Sequence, residues 1–250
     1  MNKINQILLT LVLVFALQST AAQKLSPSSL KQLELSTHKQ IVSQALSYND
    51  LQTAINSMHH IIALEGESST YKDSLAITYF NAQNYVSSHL LAKELLASKP
   101  TDVQLLAINA RSLQGLNASK EAITAYEPLF SQTNNMEVGY QLASLQFGLK
   151  RFSEAQTTIV KTLQCKDMEN AYLPFPVDET QNQNVLLKSA AYNLQGLIAY
   201  ELKDTATASA AFKAALELAP DFVLASQNAK AVGGVLAEET ELEKTENSTK

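Results

Sequence analysis

A repeat of about 34 residues recurs along this chain and limits the folds that are open to it. One position of the repeat holds small residues at successive spacings of 34, 34, 33 and 53: Ala54, Ser88, Ala122, Ala155 and Ala208. The position twelve residues earlier holds Val42, Ala76, Ala110, Ala143 and Gly196. The position eight residues later holds Ile62, Leu96, Phe130, Leu163 and Leu216. A period of this size predicts an all-α solenoid of stacked helix pairs, in which the small residues lie where two helices cross.

The repeat resembles the tetratricopeptide repeat, whose units of about 34 residues consist of helix A, a short turn and helix B. The resemblance is strongest between 189 and 220, at Tyr192, Gly196, Ala208, Phe212, Ala215 and Pro220. The second unit matches at Leu75, Ala76, Tyr79, Leu96 and Pro100. Polar residues depart from the pattern at Asn109, Gln146 and Thr162. The resemblance implies a right-handed superhelical solenoid of antiparallel helix pairs, with repeats near 35–67, 69–101, 103–135, 136–167 and 189–222.

The first 22 residues have the features of a secretory signal peptide. Lys3 provides a positive start, an apolar run extends from Ile7 to Leu17, and small residues precede a cleavage point after Ala22. The run is too short to span a bilayer core of about 30 Å. Cleavage predicts a periplasmic or secreted mature chain, and the alternative is an uncleaved anchor.

Acidic residues outnumber basic ones, giving a formal net charge of −5. Loss of Lys3 with the signal leaves 18 basic against 24 acidic residues, a net charge of −6. This balance argues against nucleic acid as a main partner, because such binding needs a positive surface. Cys165 is the single cysteine, so an intramolecular disulfide is excluded. We expect a buried thiol there, and the alternative is a disulfide to another chain.

Residues 24–237 are expected to form helices and turns throughout. N-capping residues predict four helix starts: Ser26 before Pro27, Asp50, Thr101 with Gln104, and Ser153 with Gln156. The first of these helices should extend to about Ser47. Pro128 falls inside the third helix B, where it removes a backbone donor, so this helix is expected either to kink or to end early.

The 53-residue interval implies an insertion, which we place at 165–184. Leu173 and Phe175 each precede a proline and therefore favour extended backbone. Two interpretations remain open at this point. The insertion is either a functional loop that presents exposed aromatics, or a segment folded back on the helices with Phe175 filling a gap.

The C-terminal residues divide into an amphipathic segment and a polar one. Apolar residues at helical spacing predict a helix over 221–237, which we expect to cap the last repeat. The alternative is a docking helix for another molecule. Residues 238–250 are rich in Glu and lack aromatics, so we expect a disordered acidic tail.

No catalytic signature is present in the sequence, so we expect a protein that is not an enzyme and needs no cofactor or metal. His59 and His60 are adjacent and point about 100° apart on a helix, so they cannot hold one metal together. His38 and His89 have no acidic or cysteine partner in register. All four histidines are expected to be solvated or part of the core.

The resemblance to tetratricopeptide repeats also implies a concave surface lined by the A helices. Carried across residue by residue, it predicts a partner-binding groove of Lys39, Asp73, Phe80, Arg111, Gln114, Tyr140, Phe147, Asn193 and Tyr200. Lys39 matches one position of the family's carboxylate clamp, but Ser43 replaces the expected Asn, so that specificity is not implied. The aromatics have an alternative role, which is packing between neighbouring helices.

These features lead to two hypotheses of function. The first is a non-catalytic scaffold of the cell envelope that binds a peptide or protein in its groove. The second is a self-associating structural subunit of an envelope assembly, which uses the convex face, the 221–237 helix or the 173–176 loop. The sequence leaves the partner and the oligomeric state open.

Overall fold

The computed structural model describes residues 26–166 and 171–234. The predicted signal peptide, the predicted acidic tail and the last three residues of the predicted 221–237 helix lie outside the described residues. The chain divides into two compact units, an N-terminal unit that ends at Thr78 and a C-terminal unit that begins at Tyr79.

Most of the described residues lie in helices, which confirms the predicted all-α class. The elements are α1 (Pro27–Ser47), α2 (Leu51–Glu65), α3 (Tyr71–Asn81), α4 (Tyr85–Leu96), α5 (Val103–Gly115), α6 (Ser119–Thr133), α7 (Met136–Gly148), α8 (Phe152–Leu163), β1 (Tyr172–Pro176), β2 (Asn182–Leu186), α9 (Leu187–Glu201), α10 (Thr205–Leu218) and α11 (223–234). Within the N-terminal unit α1 packs on α2. In the C-terminal unit the antiparallel pairs are α5 with α6, α7 with α8, and α9 with α10. None of the helices in the described ranges combines the length and apolar character that a membrane crossing requires.

The turn that links helix A to helix B has the same backbone form in each pair. One residue adopts a left-handed conformation, with φ between 56° and 65°, at Asn49, Gln83, Asn117, Lys150 and Lys203. The amide of the following residue donates to the carbonyl five positions back, as from Asp50 to Ala45 at 2.8 Å. This closure satisfies carbonyl groups that the end of an α-helix leaves unpaired. The left-handed residues are spaced 34, 34, 33 and 53 apart, so the backbone repeats with the sequence.

The small residues of the repeat lie where the paired helices touch. Eight of them are fully buried: Ala54, Ala76, Ser88, Ala110, Ala122, Ala143, Ala155 and Ala208. In the last pair this position is Gly196, where a Cβ atom would lie 2.5 Å from the Phe212 ring. Small side chains therefore set the close approach of the two helices, as the sequence predicted.

The predicted helix starts are correct at two places and wrong at two. Ser26 accepts from the Ser29 amide with Pro27 in the first turn, and Asp50 accepts from the Thr53 amide. Helix α5 is capped by Asp102 rather than Thr101, because its carboxylate reaches the amides of both Gln104 and Leu105. Helix α8 begins after Arg151, with no side-chain cap at all, rather than at Ser153. The repeated left-handed turn decides this start, since it fixes where the new helix begins.

Pro128 does not end helix α6, which continues to Thr133. The early ending that the sequence allowed is therefore wrong. The proline ring lies on the exposed face of the helix, as does Thr124 one turn earlier. The Thr124 carbonyl that loses its helical donor is therefore on the side where water can hydrogen-bond to it. Leu129 and Phe130, the next two residues, are buried and hold the helix against the core.

The insertion contains a β-hairpin, which the expectation of helices and turns did not include. Strands β1 and β2 pair antiparallel, with Leu173 opposite Val185 and Phe175 opposite Gln183. The extended backbone predicted around the two prolines is therefore correct, but the pairing with 182–186 was missed. Pro174 and Pro176 alternate with the residues whose amides face β2, so the outer edge of β1 lacks donors at these positions.

The hairpin folds back onto the end of the helical core. Val185 is 1% exposed, and the Phe175 ring packs edge-on against Phe222 with centroids 5.0 Å apart. The Gln183 side chain donates to the Asp221 carbonyl at 2.6 Å and accepts from the Val223 amide at 3.2 Å. The gap-filling interpretation of Phe175 matches this arrangement. The hairpin therefore fixes the chain where α11 begins.

Candidate partner-binding surface

The predicted groove residues are divided between the two units. Lys39 and Asp73 belong to the N-terminal unit, and the other seven belong to the C-terminal unit. The structure brings three of those seven together around one depression: Phe80, Arg111 and Gln114. The remaining four lie at other places along the helices.

In the N-terminal unit, the Lys39 ammonium is already paired. Its Nζ lies 2.8 Å from a Glu65 carboxylate oxygen and 5.6 Å from the centre of the Tyr71 ring. The other Glu65 oxygen accepts from the Ser69 hydroxyl at 2.6 Å. The hydrogen bond with Lys39 lowers the pKa of Glu65 and raises that of Lys39. A partner carboxylate at Lys39 would therefore have to displace Glu65. Asp73 is half-buried in the first turn of α3.

In the C-terminal unit, a depression of about 300 Å³ is open on the A-helix side. It lies among α3, α5, α6 and α7, and its lining is Phe80, Arg111, Gln114, Gly115, Tyr126, Glu137 and Gln141. Aromatic and amide groups therefore surround a single cation. A surface of this composition suits an extended chain, because apolar contact and backbone hydrogen bonding are both available.

A hydrogen-bonded series crosses the floor of this depression. The Tyr126 hydroxyl donates to Gln114 Oε1 at 2.6 Å, and Gln114 Nε2 donates to Gln141 Oε1 at 3.0 Å. Tyr126 is 1% exposed, and burial raises its pKa to about 12, so the phenol stays protonated and remains a donor. The series holds the Gln114 amide in one orientation. Gln141 keeps its amide NH₂ group for other acceptors.

Arg111 is held more loosely than Gln114. Its guanidinium lies 3.4 Å from a Glu137 oxygen, and the two side chains are 47% and 43% exposed. An ion pair this exposed stabilises a protein by less than about 1 kcal/mol. A partner carboxylate or carbonyl can therefore take the place of Glu137 at little cost.

Sequence reasoning did not select Tyr126, Glu137 or Gln141. Tyr126 occupies a core position of helix B, sixteen residues after Ala110, where the neighbouring repeats have Ala92 and Ile159. Its hydroxyl is the one polar group in that series, and this departure from an apolar pattern could have identified Tyr126 from the sequence. Glu137 and Gln141 are on α7, one turn apart on the side that faces α5. Only their positions relative to Arg111 and Gln114 identify them.

The other four predicted residues lie outside the depression. Tyr140 is half-buried, and burial raises its pKa. The Phe147 ring packs on Phe152 with centroids 5.6 Å apart. Tyr200 is 37% exposed at the end of α9, beside Lys203. Asn193 is not on an open surface as predicted, because it is 2% exposed and accepts from Asn228 of α11 at 3.0 Å.

Three of the four histidines lie in two separate settings. His38 and His60 stack with ring centres 4.5 Å apart. His89 Nδ1 lies 2.7 Å from Asn109 Oδ1, which gives one of the polar departures from the repeat pattern a partner. In the ranges that the structure describes, His, Cys, Asp and Glu do not gather in a group of three or more that could hold a metal. Cys165 is buried, and burial raises the pKa of its thiol.

Comparison with known proteins finds likeness in structure rather than in sequence. No protein-family model matches the chain, and no curated protein matches it. Among solved structures, a MamA protein shares 15% identity at a TM-score of 0.58, over 74% of this chain and 91% of its own. A tetratricopeptide repeat protein from Parabacteroides merdae ATCC 43184 shares 11% identity at 0.59, over 84% and 76%.

A third solved structure is that of YrrB, described as a tetratricopeptide repeat protein with an unusual peptide-binding site. It shares 15% identity at a TM-score of 0.58, over 76% of this chain and 88% of its own. Structural likeness at such low sequence identity establishes the fold and leaves the partner open. The repeated helix pairs, their common turn and these structural likenesses lead to one conclusion: the chain has the tetratricopeptide-repeat fold.

Proposed function

We propose that the protein is a non-catalytic interaction scaffold of the cell envelope, which binds a peptide or protein on the A-helix surface of its C-terminal unit. The observation that carries the proposal is the depression around Gln114, where an oriented amide lies beside Arg111 and Phe80. The peptide-binding site described for YrrB, a protein of the same fold, supports it. The envelope location is supported by the signal-like first 22 residues.

The binding mode follows from the groups at the depression. The Gln141 NH₂ group meets backbone carbonyls of a bound segment, and Arg111 meets a carboxylate or a further carbonyl. Phe80 offers an apolar side chain beside them. The Tyr126–Gln114 bond fixes the central amide before binding, so little side-chain order is lost when the partner arrives.

Affinity capture from a native envelope extract tests the proposal, with the mature chain as bait. The test variant is Arg111→Glu, and the matched control is Arg151→Glu, since Arg151 is the one other arginine and lies outside the depression. A protein retained by the wild type and by Arg151→Glu, and lost by Arg111→Glu, names the partner. Equal retention by all three chains refutes the assigned surface.

The self-association hypothesis uses surfaces that are partly occupied within the chain. Phe175 of the 173–176 segment packs on Phe222, and Phe222, Ala225 and Val232 of the last helical segment are buried. These apolar groups already cover the core. Capture of the same chain by all three baits, together with a dimeric mass in solution, would favour self-association through another face.

A further inference from the structure

Asn109, Gln146 and Thr162 are the three polar residues that depart from the repeat pattern, and the structure satisfies their hydrogen bonding to different degrees. Asn109 pairs with His89, and the Thr162 hydroxyl donates to the Thr158 carbonyl at 2.8 Å. Gln146 is 3% exposed, and its Oε1 atom is buried without a hydrogen-bond partner. A buried polar atom without a partner destabilises the folded protein, so its presence needs an explanation.

The equivalent positions of neighbouring repeats show that this is particular to Gln146. Counted from the left-handed residue of each turn, the positions equivalent to Gln146 in the first three repeats are Ala45, Tyr79 and Leu113. The position in the last repeat is Ala199, which has no polar side chain. Among these five residues, Gln146 is the one with a buried side-chain oxygen that nothing in the described structure satisfies.

Gln146 lines a cleft of about 560 Å³ on the B-helix side of the C-terminal unit, away from the residues of the depression described above. Helices α6 and α8 form its walls, and α7 forms its floor with Leu142 and Gln146. Known small-molecule sites have volumes of about 300–1,000 Å³. The cleft therefore has the size of a ligand site, and Gln146, whose buried Oε1 atom has no partner, is one of its lining residues.

The lining of the cleft defines the chemistry of an occupant. Nine of the eleven lining residues carry hydrogen-bonding side chains, and the two apolar ones are Phe130 and Leu142. The Glu154 carboxylate accepts a hydrogen bond from Arg151, and the charge of Arg151 also interacts with Glu127. Lys161 adds a second cation to the lining. The two acidic groups are thus balanced by two basic ones. A strongly charged ligand gains little here, and a purely apolar one would leave most of the lining unpaired.

We infer that this cleft binds an uncharged, hydroxyl-rich ligand of the size of a mono- or disaccharide. When the Gln146 side chain turns its Oε1 atom toward the cleft, a sugar hydroxyl or acetamido N–H donates to it, and other hydroxyls pair with the Ser and Thr side chains at the rim. The C–H face of the sugar packs on Phe130 and Leu142. Such a ligand both donates and accepts hydrogen bonds, which matches a rim made of hydroxyl, amide and carboxylate groups.

The Gln146→Leu variant separates a binding residue from a structural one. Leucine fills a similar volume and removes the unpaired oxygen, so the unliganded variant should unfold at a higher temperature than the wild type. The same change should weaken saccharide binding roughly tenfold, because one buried hydrogen bond is lost. If Gln146 only supported the fold, its replacement would lower the stability of the protein.

The experiment titrates the mature protein with glucose, N-acetylglucosamine and their disaccharides, using saturation-transfer NMR and thermal unfolding. Sugars also stabilise proteins non-specifically at high concentration, so only a saturating effect counts as binding. Ser131→Trp, at an exposed position of the rim, blocks the cleft without touching its floor. We expect saturable binding by the wild type, weaker binding by Gln146→Leu and none by Ser131→Trp.

Three results would overturn the inference. The first is that no sugar of the panel binds the wild type saturably at millimolar concentration. The second is that both variants bind as the wild type does, which places the sugar elsewhere. The third is that unliganded Gln146→Leu is less stable than the wild type, which shows that water or the protein already satisfies the amide.

Discussion

Replacing Gly196 by alanine tests whether the close approach of paired helices depends on the smallest side chain. Gly196 lies on α9, and Phe212, sixteen residues later on α10, packs against it. A Cβ atom at position 196 would lie 2.5, 2.7 and 2.7 Å from three carbons of the Phe212 ring. Ordinary contacts of this kind begin at 3.4 Å, so ring or helix must retreat by 0.9 Å, the difference between 3.4 and 2.5 Å.

Two opposing terms set the size of the effect. Alanine is favoured over glycine inside a helix by about 1 kcal/mol. Overpacking a buried site costs about 1–3 kcal/mol, and the upper half of that range applies because Phe212 is 1% exposed among Ala199 and Ala208. We therefore expect Gly196→Ala to lower the free energy of unfolding by about 1–2 kcal/mol.

The assay is urea unfolding of the mature protein followed by far-UV circular dichroism. Gly148→Ala is the matched control, because Gly148 is also helical and a Cβ atom there meets nothing within 4 Å. This control should be neutral or more stable than the wild type by up to about 1 kcal/mol. Equal stability of the two variants would refute the reasoning, since it would mean that the Phe212 contact does not constrain α9. Phe212→Leu should partly rescue Gly196→Ala by making room for the added methyl group.

Three further predictions concern other elements. Tyr126 has a folded-state pKa of about 12 against 10.0 for the free side chain, so native stability should fall as pH rises from 10 to 12. Tyr126→Phe should flatten that alkaline decline, which pH-dependent urea midpoints measure, and an unchanged slope would contradict the assignment. Pro128→Ala should raise the free energy of unfolding by about 2 kcal/mol because it restores a helical hydrogen bond on an exposed face, and calorimetry showing a loss would count against this. Gln183→Ala should speed hydrogen exchange in α11 while leaving α5 and α6 unchanged, because it removes both hydrogen bonds that hold the start of α11. Exchange in α11 at the wild-type rate would show that the packing of Phe222 suffices.

Much of the helical architecture could be predicted from the sequence because its determinants are local. Spacing along a helix decides which side chains share a face, so Ala54, Ala122 and Ala208 could be assigned to helix crossings without a structure. The start at Ser26 was predictable for the same reason, since a cap acts within one turn. Asp102 was missed because two neighbouring residues competed for the cap, and the preceding turn decided between them.

The candidate site could be predicted only in part, because it depends on distances between helices that are far apart in sequence. Arg111 and Gln114 followed from their register on helix A. Tyr126 and Gln141 are brought to Gln114 by the packing of α5 against α6 and α7, and no local pattern gives these distances. Asn193 has the same register on helix A as the other predicted groove residues. It is nevertheless covered by α11, the helix that follows the last repeat.

The sequence by itself determined the helix-pair repeat, its period and the buried small residues, because each depends on spacing within one or two helices. The tertiary structure alone decided the pairing of 172–176 with 182–186, the bond from Tyr126 to Gln114 and the isolation of the Gln146 oxygen. Each of these depends on how separate elements pack against one another. Whether a buried polar group finds a partner is a property of the assembled core, and the residue type gives only its need for one.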